Sequence, residues 1–192
     1  MISIIMKKVV KFGGSSLANA EQFQKVGDII RSEESRRYVV PSAPGKRFSA
    51  DTKVTDLLYT CYGKAEAGED FTDVLTEIKG RFYEIIKGLN LDLSLEEEFR
   101  QIEADFKAHA GNEYAASRGE FLNGKVMAAY LGYEFIDSAT VIRFDKNGNF
   151  DADKTDKLLS KRLQKCERAV VPGFYGGMED GTVKTFSRGG SN

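Results

Sequence analysis

The chain has 192 residues, is 41% hydrophobic and carries 28 basic against 29 acidic residues. That length can bury one substantial core, and the balanced charge excludes a bulk field for nucleic acid or an anionic membrane, so any anion site is local. Two cysteines far apart in sequence, Cys61 and Cys166, lie in apolar or amphipathic surroundings and read as reduced, packed thiols of a cytoplasmic protein.

The apolar opening Met1–Met6 is interrupted by Lys7 and Lys8, which makes it too short for a signal core or a membrane span. A strand is predicted around Lys8–Phe12, giving way at Gly13-Gly14 to Ser15 and Ser16. Phe23, Val26, Ile29 and Ile30 then recur at helical spacing, with Asn19 and Gln22 placed as a capping box. Tyr38–Val40 reads as a second strand, broken by Pro41 and Pro44 into a Ser/Gly/Lys loop that runs to about Asp51. Four helices are predicted near 53–67, 71–88, 95–110 and 113–131, separated by Gly68, Asn90 and Gly111-Asn112. Glu96-Glu97-Glu98 suits the positive start of the third of these. Phe82, Tyr83, Ile85 and Ile86 are expected core contacts. β-type residues return at Glu134–Ile142 and Ala169–Val171, with a crossover helix expected over Asp153–Lys165 and a turn at Asp145–Asn149. Alternating strands and helices of this kind predict an α/β sandwich with a largely parallel sheet.

Two segments carry chemistry. Lys11-Phe12-Gly13-Gly14-Ser15 sets a lysine and paired glycines where a strand meets a helix, so that backbone N–H groups and the helix start can face a phosphate. Thr182–Ser191 repeats the design, with a short alternating strand, the basic Arg188, the pair Gly189-Gly190 and the hydroxyl of Ser191. Two such loops suggest a phosphate donor and an anionic acceptor meeting at one site. His109, the lone histidine, has no cysteine or second histidine at metal spacing and is assigned to a solvated or half-buried helix face.

Six ordered motifs span nearly the whole chain: K-F-G-G-S-S at Lys11–Ser16, S-A-P-G-K at Ser42–Lys46, V-T-D-L-L at Val54–Leu58, S-R-G-E-F-L at Ser117–Leu122, V-P-G-F-Y-G at Val171–Gly176 and T-F-S-R-G-G-S at Thr185–Ser191. In that order they resemble the catalytic domain of aspartokinase. The K-x-G-G element alone is shared with glutamate 5-kinase, UMP kinase and acetylglutamate kinase. The resemblance implies an amino acid kinase-like α/β sandwich and transfer of the γ-phosphate of ATP, with Mg²⁺, to the β-carboxylate of L-aspartate, opening the route to lysine, threonine and methionine. It places Lys11 against the transferring phosphate as the catalytic cation, with Phe12, Gly13, Gly14 and Ser15 completing the phosphate loop. It assigns Arg188 to the substrate α-carboxylate, assisted by Gly189, Gly190 and Ser191, Glu120 to the ammonium and Thr55 to the β-carboxylate side. Taken alone, Glu120 also suits a favourable acidic position in a helix's first turns, Arg188 a surface place on a hairpin, and Lys46 a solvated loop.

Aspartokinases continue beyond R-G-G-S with an aspartate, the adenine-binding half of the kinase fold and paired ACT domains, whereas this sequence ends at Asn192. Residues 1–192 are therefore expected to be the N-terminal part of the catalytic domain, inactive alone, and homo-oligomeric in the full-length protein. The rival expectations are another amino acid kinase such as glutamate 5-kinase, or a non-catalytic aspartate-binding or assembly fragment.

Overall fold

A computed structural model describes residues 6–187. Strand β1 (Lys8–Phe12) leads through a 3-10 turn at Gly14–Leu17 into helix α1 (Ala20–Arg31), then β2 (Arg36–Pro41). Four helices follow: α2 (Val54–Glu66), α3 (Thr72–Gly88), α4 (Glu96–Lys107) and α5 (Asn112–Leu131). The remainder is β3 (Glu134–Phe135), α6 (Ser138–Val141), α7 (Ala152–Leu163), β4 (Ala169–Val170) and the hairpin β5 (Tyr175–Gly177) with β6 (Val183–Thr185).

The main sheet has the order β1-β2-β4-β3 with every pairing parallel, as the alternation of strands and helices predicts. Successive residues of a strand face opposite ways, and here the two faces enter different clusters. Val39 and Val170 join the large core with Phe23, Leu58, Phe82 and Val126, whereas Tyr38, Ala169 and Val171 pack with Ile136, Val141 and, at the margin, Leu159 and Leu163 of α7. The sheet thus lies between a thick layer of helices and a thinner cover. β1 pairs only with β2 in the described sheet, and Val9 on it is 65% exposed.

Local rules account for several element ends. Asn19 Oδ1 accepts from Gln22 N at 3.0 Å, which satisfies one orphan donor at the start of α1. Glu96 opens α4 and accepts the Tyr83 hydroxyl, while Glu98 reaches Lys125 of α5 at 2.5 Å. Gly132 ends α5 in the left-handed conformation. Phe82, Ile85 and Ile86 are buried, and Tyr83 packs half-buried beside them. Cys61 is buried and Cys166 half-buried, both free, and burial pushes the Cys61 thiol up to about 12.

Three expectations need correction. Pro41 does not break β2; it is the last paired residue, opposite Phe12. The run Glu134–Ile142 is not one strand, because Asp137 accepts from Ala139 N and Ser138 Oγ donates to the buried Pro172 carbonyl, so Ser138–Val141 coils into α6 despite its β-branched residues. His109 is not on a helix; it lies exposed beyond the end of α4 with φ of 58°.

Candidate active site

A cavity of about 470 Å³ opens at the carboxyl ends of β1 and β2, where open α/β sheets place their ligands. Its walls include Gly14, Ser15, Lys46, Lys53, Thr55 and Glu120. Four chain segments converge there: the turn after β1, the long loop between β2 and α2, the first turn of α2, and the middle of α5.

The first two segments are clasped backbone to backbone. Ser42 N donates to Phe12 O at 3.0 Å, and Gly45 N donates to Gly14 O at 2.9 Å. Only glycine fits this approach, since a Cβ on Gly45 would lie 2.6 Å from the Gly14 carbonyl carbon and 2.8 Å from Ser15 N. Gly45→Ala is therefore expected to destabilise the chain by about 1–3 kcal/mol through overpacking against backbone that cannot rotate away. Urea denaturation reads this directly, and a wild-type midpoint would mean the two loops part at no cost.

The loop has further anchors in the helical layer. Asn123 Nδ2 on α5 donates to Ser42 O at 2.6 Å. Arg81, 2% exposed on α3, donates to Gly45 O at 2.7 Å and to Thr52 O at 2.9 Å, and its Nη1 lies 3.1 Å from Asp51. Arg47 grips the same carboxylate through its backbone N–H and its guanidinium, and this pairing, led by the Arg47 side chain and assisted by Arg81, holds Asp51 far below the usual carboxylate range.

Glu120 is the unusual wall. It is 6% exposed, and burial raises its carboxyl from 4.5 to about 7, only partly opposed by the Ala43 backbone N–H and the charge of Arg118. Its Oε2 has no hydrogen-bond partner among the described residues. A buried acceptor left open on a cavity wall is where a donor group of a ligand gains most. Arg118 nearby bonds Ser117 Oγ and stacks over the Tyr114, Phe121 and Tyr175 rings at 4.5, 4.4 and 5.5 Å.

The cavity therefore brings together Gly14, Ser15, Thr55 and Glu120 of the expected site residues. Lys11 is exposed as the penultimate residue of β1 and is not among the walls; Phe12 is half-buried against the core and Gly13 is exposed with ordinary extended φ of −76°. Arg188, Gly189, Gly190 and Ser191 lie outside the described residues. The first-turn reading of Glu120 fails, because α5 begins at Asn112 and Glu120 sits in its interior. Lys46 is exposed, as a solvated lysine is, yet it forms part of the wall; Lys53 and the anchor Arg81 escaped sequence reasoning. Arg81 did leave a signal. It stands three residues after Ile78 and four before Ile85, a cation on the buried stripe of α3. Among the described residues no group of three or more His, Cys, Asp or Glu side chains could hold a metal, and no helix is long and apolar enough to cross a membrane.

Parallel strands leading to a glycine turn, with a cavity at their tips and a buried carboxylate in its wall, define an α/β domain with its candidate site where open sheets of this kind place ligands. The chain belongs to the amino acid kinase family, whose sequence model matches residues 6–192. Aspartokinase 3 of Bacillus subtilis is 36% identical over 96% of this chain and 44% of its own length. The crystal structure of Clostridium acetobutylicum aspartate kinase superposes with a TM-score of 0.92 at 49% identity, covering 95% of this chain and 42% of that one. E. coli aspartokinase III, solved in complex with aspartate and ADP, superposes with a TM-score of 0.78 at 26% identity over 95% of this chain and 44% of its own. The chain thus spans less than half the length of these relatives.

Proposed function

We propose that this chain supplies the acceptor side of an aspartate kinase, which transfers the γ-phosphate of ATP to the β-carboxylate of L-aspartate to give 4-phospho-L-aspartate. The observation that carries the reading is Glu120: a buried, half-satisfied carboxylate on a cavity that also exposes Thr55, Ser15 and two lysines. An amino acid ammonium answers the open oxygen of Glu120, while Thr55 and Lys46 or Lys53 suit a carboxylate. The aspartate and ADP bound by E. coli aspartokinase III support the same choice of acceptor and nucleotide.

In this reading Lys11 and the Phe12-Gly13-Gly14-Ser15 turn face the phosphates, and Arg188 with Gly189, Gly190 and Ser191 holds the substrate α-carboxylate. Transfer sets one anion against another, and two unit charges about 4 Å apart repel by roughly 4 kcal/mol at an effective dielectric near 20. Lys11, the backbone N–H groups of the turn and Mg²⁺ held with the nucleotide offset that repulsion, most strongly as charge redistributes in the transition state. Amino acid production in the soluble phase of the cell and a homo-oligomeric full-length enzyme complete the proposal.

Calorimetric titration of the purified chain with L-aspartate, with L-glutamate and UMP as controls, tests it. Selective binding of aspartate is expected; preference for glutamate or UMP, or no binding by any of the three, overturns the reading. Arg188→Lys keeps a charge but loses the planar fork, and is expected to weaken aspartate binding by roughly 1.5–3 kcal/mol. Unchanged affinity in that variant removes Arg188 from the substrate site.

A further inference from the structure

Arg81 is a buried cation that lies outside the cavity wall and yet touches the chain that forms it. Its side chain is 2% exposed, and three of its contacts converge on one loop: Gly45 O at 2.7 Å, Thr52 O at 2.9 Å and Asp51 at 3.1 Å. Burial weakens its hold on the proton, and its Nε finds no partner among the described residues, so the fold keeps a costly, incompletely satisfied charge in its helical layer. A residue serving packing alone would be apolar here, like its neighbours Ile78, Phe82 and Ile85 on the same stripe.

Gly45 is the residue whose N–H closes the clasp on Gly14, and the Arg81 guanidinium donates to the Gly45 carbonyl on the other side. Thr52 O marks the far end of the loop, one residue before Lys53 and three before Thr55. The fork of Arg81 spans the loop from its first bend to its return, fixing both ends at once, which a lysine's single ammonium cannot do with the same geometry. Ala43, whose N–H reaches Glu120, lies two residues before Gly45.

We propose that Arg81 is a positioning residue of the cavity: by bonding the Gly45 and Thr52 carbonyls it holds the 42–53 loop in the shape that sets Lys46, Lys53 and Thr55 opposite Glu120. Its effect on substrate rests on the reading of the cavity as an aspartate site, whereas its effect on the loop does not. Arg81→Gln and Arg81→Lys, made in the 192-residue chain, separate the two. Amide hydrogen exchange by NMR is expected to show the Gly45 and Val54 N–H groups exchanging at least about tenfold faster in Arg81→Gln, with α5 and β2 amides unchanged, and an intermediate increase in Arg81→Lys. Aspartate affinity measured on the same samples is expected to fall at least about tenfold in Arg81→Gln and less in Arg81→Lys.

Unchanged exchange at Gly45 and Val54 overturns the proposal, and so does an equal rise throughout α5 and β2, which marks general loosening. Should Arg81→Gln not fold, Arg81→Lys decides by the same comparison of loop and core amides. If the wild-type chain binds no aspartate, the functional reading fails while the exchange comparison still settles whether Arg81 holds the loop. Local loosening with undiminished aspartate affinity overturns its role in the site.

Discussion

Glu120→Gln is expected to abolish measurable L-aspartate binding while making the ligand-free chain less sensitive to pH. The first effect follows from removing the countercharge for a desolvated ammonium, a change that costs about 2–5 kcal/mol when one partner of a buried charged pair is truncated. The second follows from the sign of the linkage. The folded carboxyl is raised from 4.5 to about 7, so between those values the folded chain holds a proton that the unfolded chain has released. Stability from this group is therefore greatest at or below pH 4.5, falls as pH rises toward 7, and stays low above it, by roughly 3 kcal/mol in all. Chemical denaturation of wild type and variant at pH 5 and pH 8 isolates the term, since other groups titrate alike in both proteins. An identical pH dependence in the two proteins would show that Glu120 titrates normally.

The same linkage predicts how binding responds to pH. If the ammonium requires an ionised Glu120, aspartate affinity climbs as pH rises toward 7 and levels off above it, and binding at pH 6 releases a proton. Calorimetry in two buffers of different ionisation enthalpy measures that proton. Equal affinity at pH 6 and pH 8 with no proton release would separate Glu120 from the ammonium.

Lys11→Ala is expected to lower turnover by about 10²- to 10³-fold in a form of the protein matching its relatives in length, with little change in the Michaelis constant for aspartate. The split distinguishes a cation that serves the moving phosphoryl group from one that binds the acceptor. Lys11 lies near the glycine turn but is not among the walls of the cavity proposed for the acceptor, which fits the first role. A raised Michaelis constant with unchanged turnover would move Lys11 to the acceptor side, and wild-type kinetics would leave it on the surface.

How much of this was legible in the sequence depends on the range of the forces involved. Helices α1 to α5 and α7 follow from apolar spacing and from breakers such as Gly68 and Gly111, because side chains three and four apart share a face whatever surrounds them. The parallel sheet follows from alternation of strand and helix. The stretch Ser138–Val141 does not, since its coiling depends on bonds to Asp137 and to the distant Pro172 carbonyl that outweigh β propensity. In the cavity, Gly14 and Ser15 of the expected phosphate loop and Thr55 and Glu120 of the expected acceptor site were reachable through motifs, and the cavity brings the four together without fixing their roles. Lys53 and Arg81 were not, because one sits at an unremarkable helix start and the other acts from a helix remote in sequence from the loop it holds. The burial of Glu120 was also hidden: the same acidic residue in a first turn would be solvated, and only the packing of α5 on all sides makes its charge costly.

That packing bears on how the protein can change. From Ala115 to Glu120 every residue of α5 is buried, so a substitution beside Glu120 disturbs the core before it alters the ligand. The opposite wall is a loop whose residues 46 and 48–50 are exposed and tolerate replacement at little cost to folding. New acceptor preferences, whether arising by natural drift or selected in a library, should therefore accumulate at 46 and 48–50 of the loop while the helix bearing the carboxylate stays fixed.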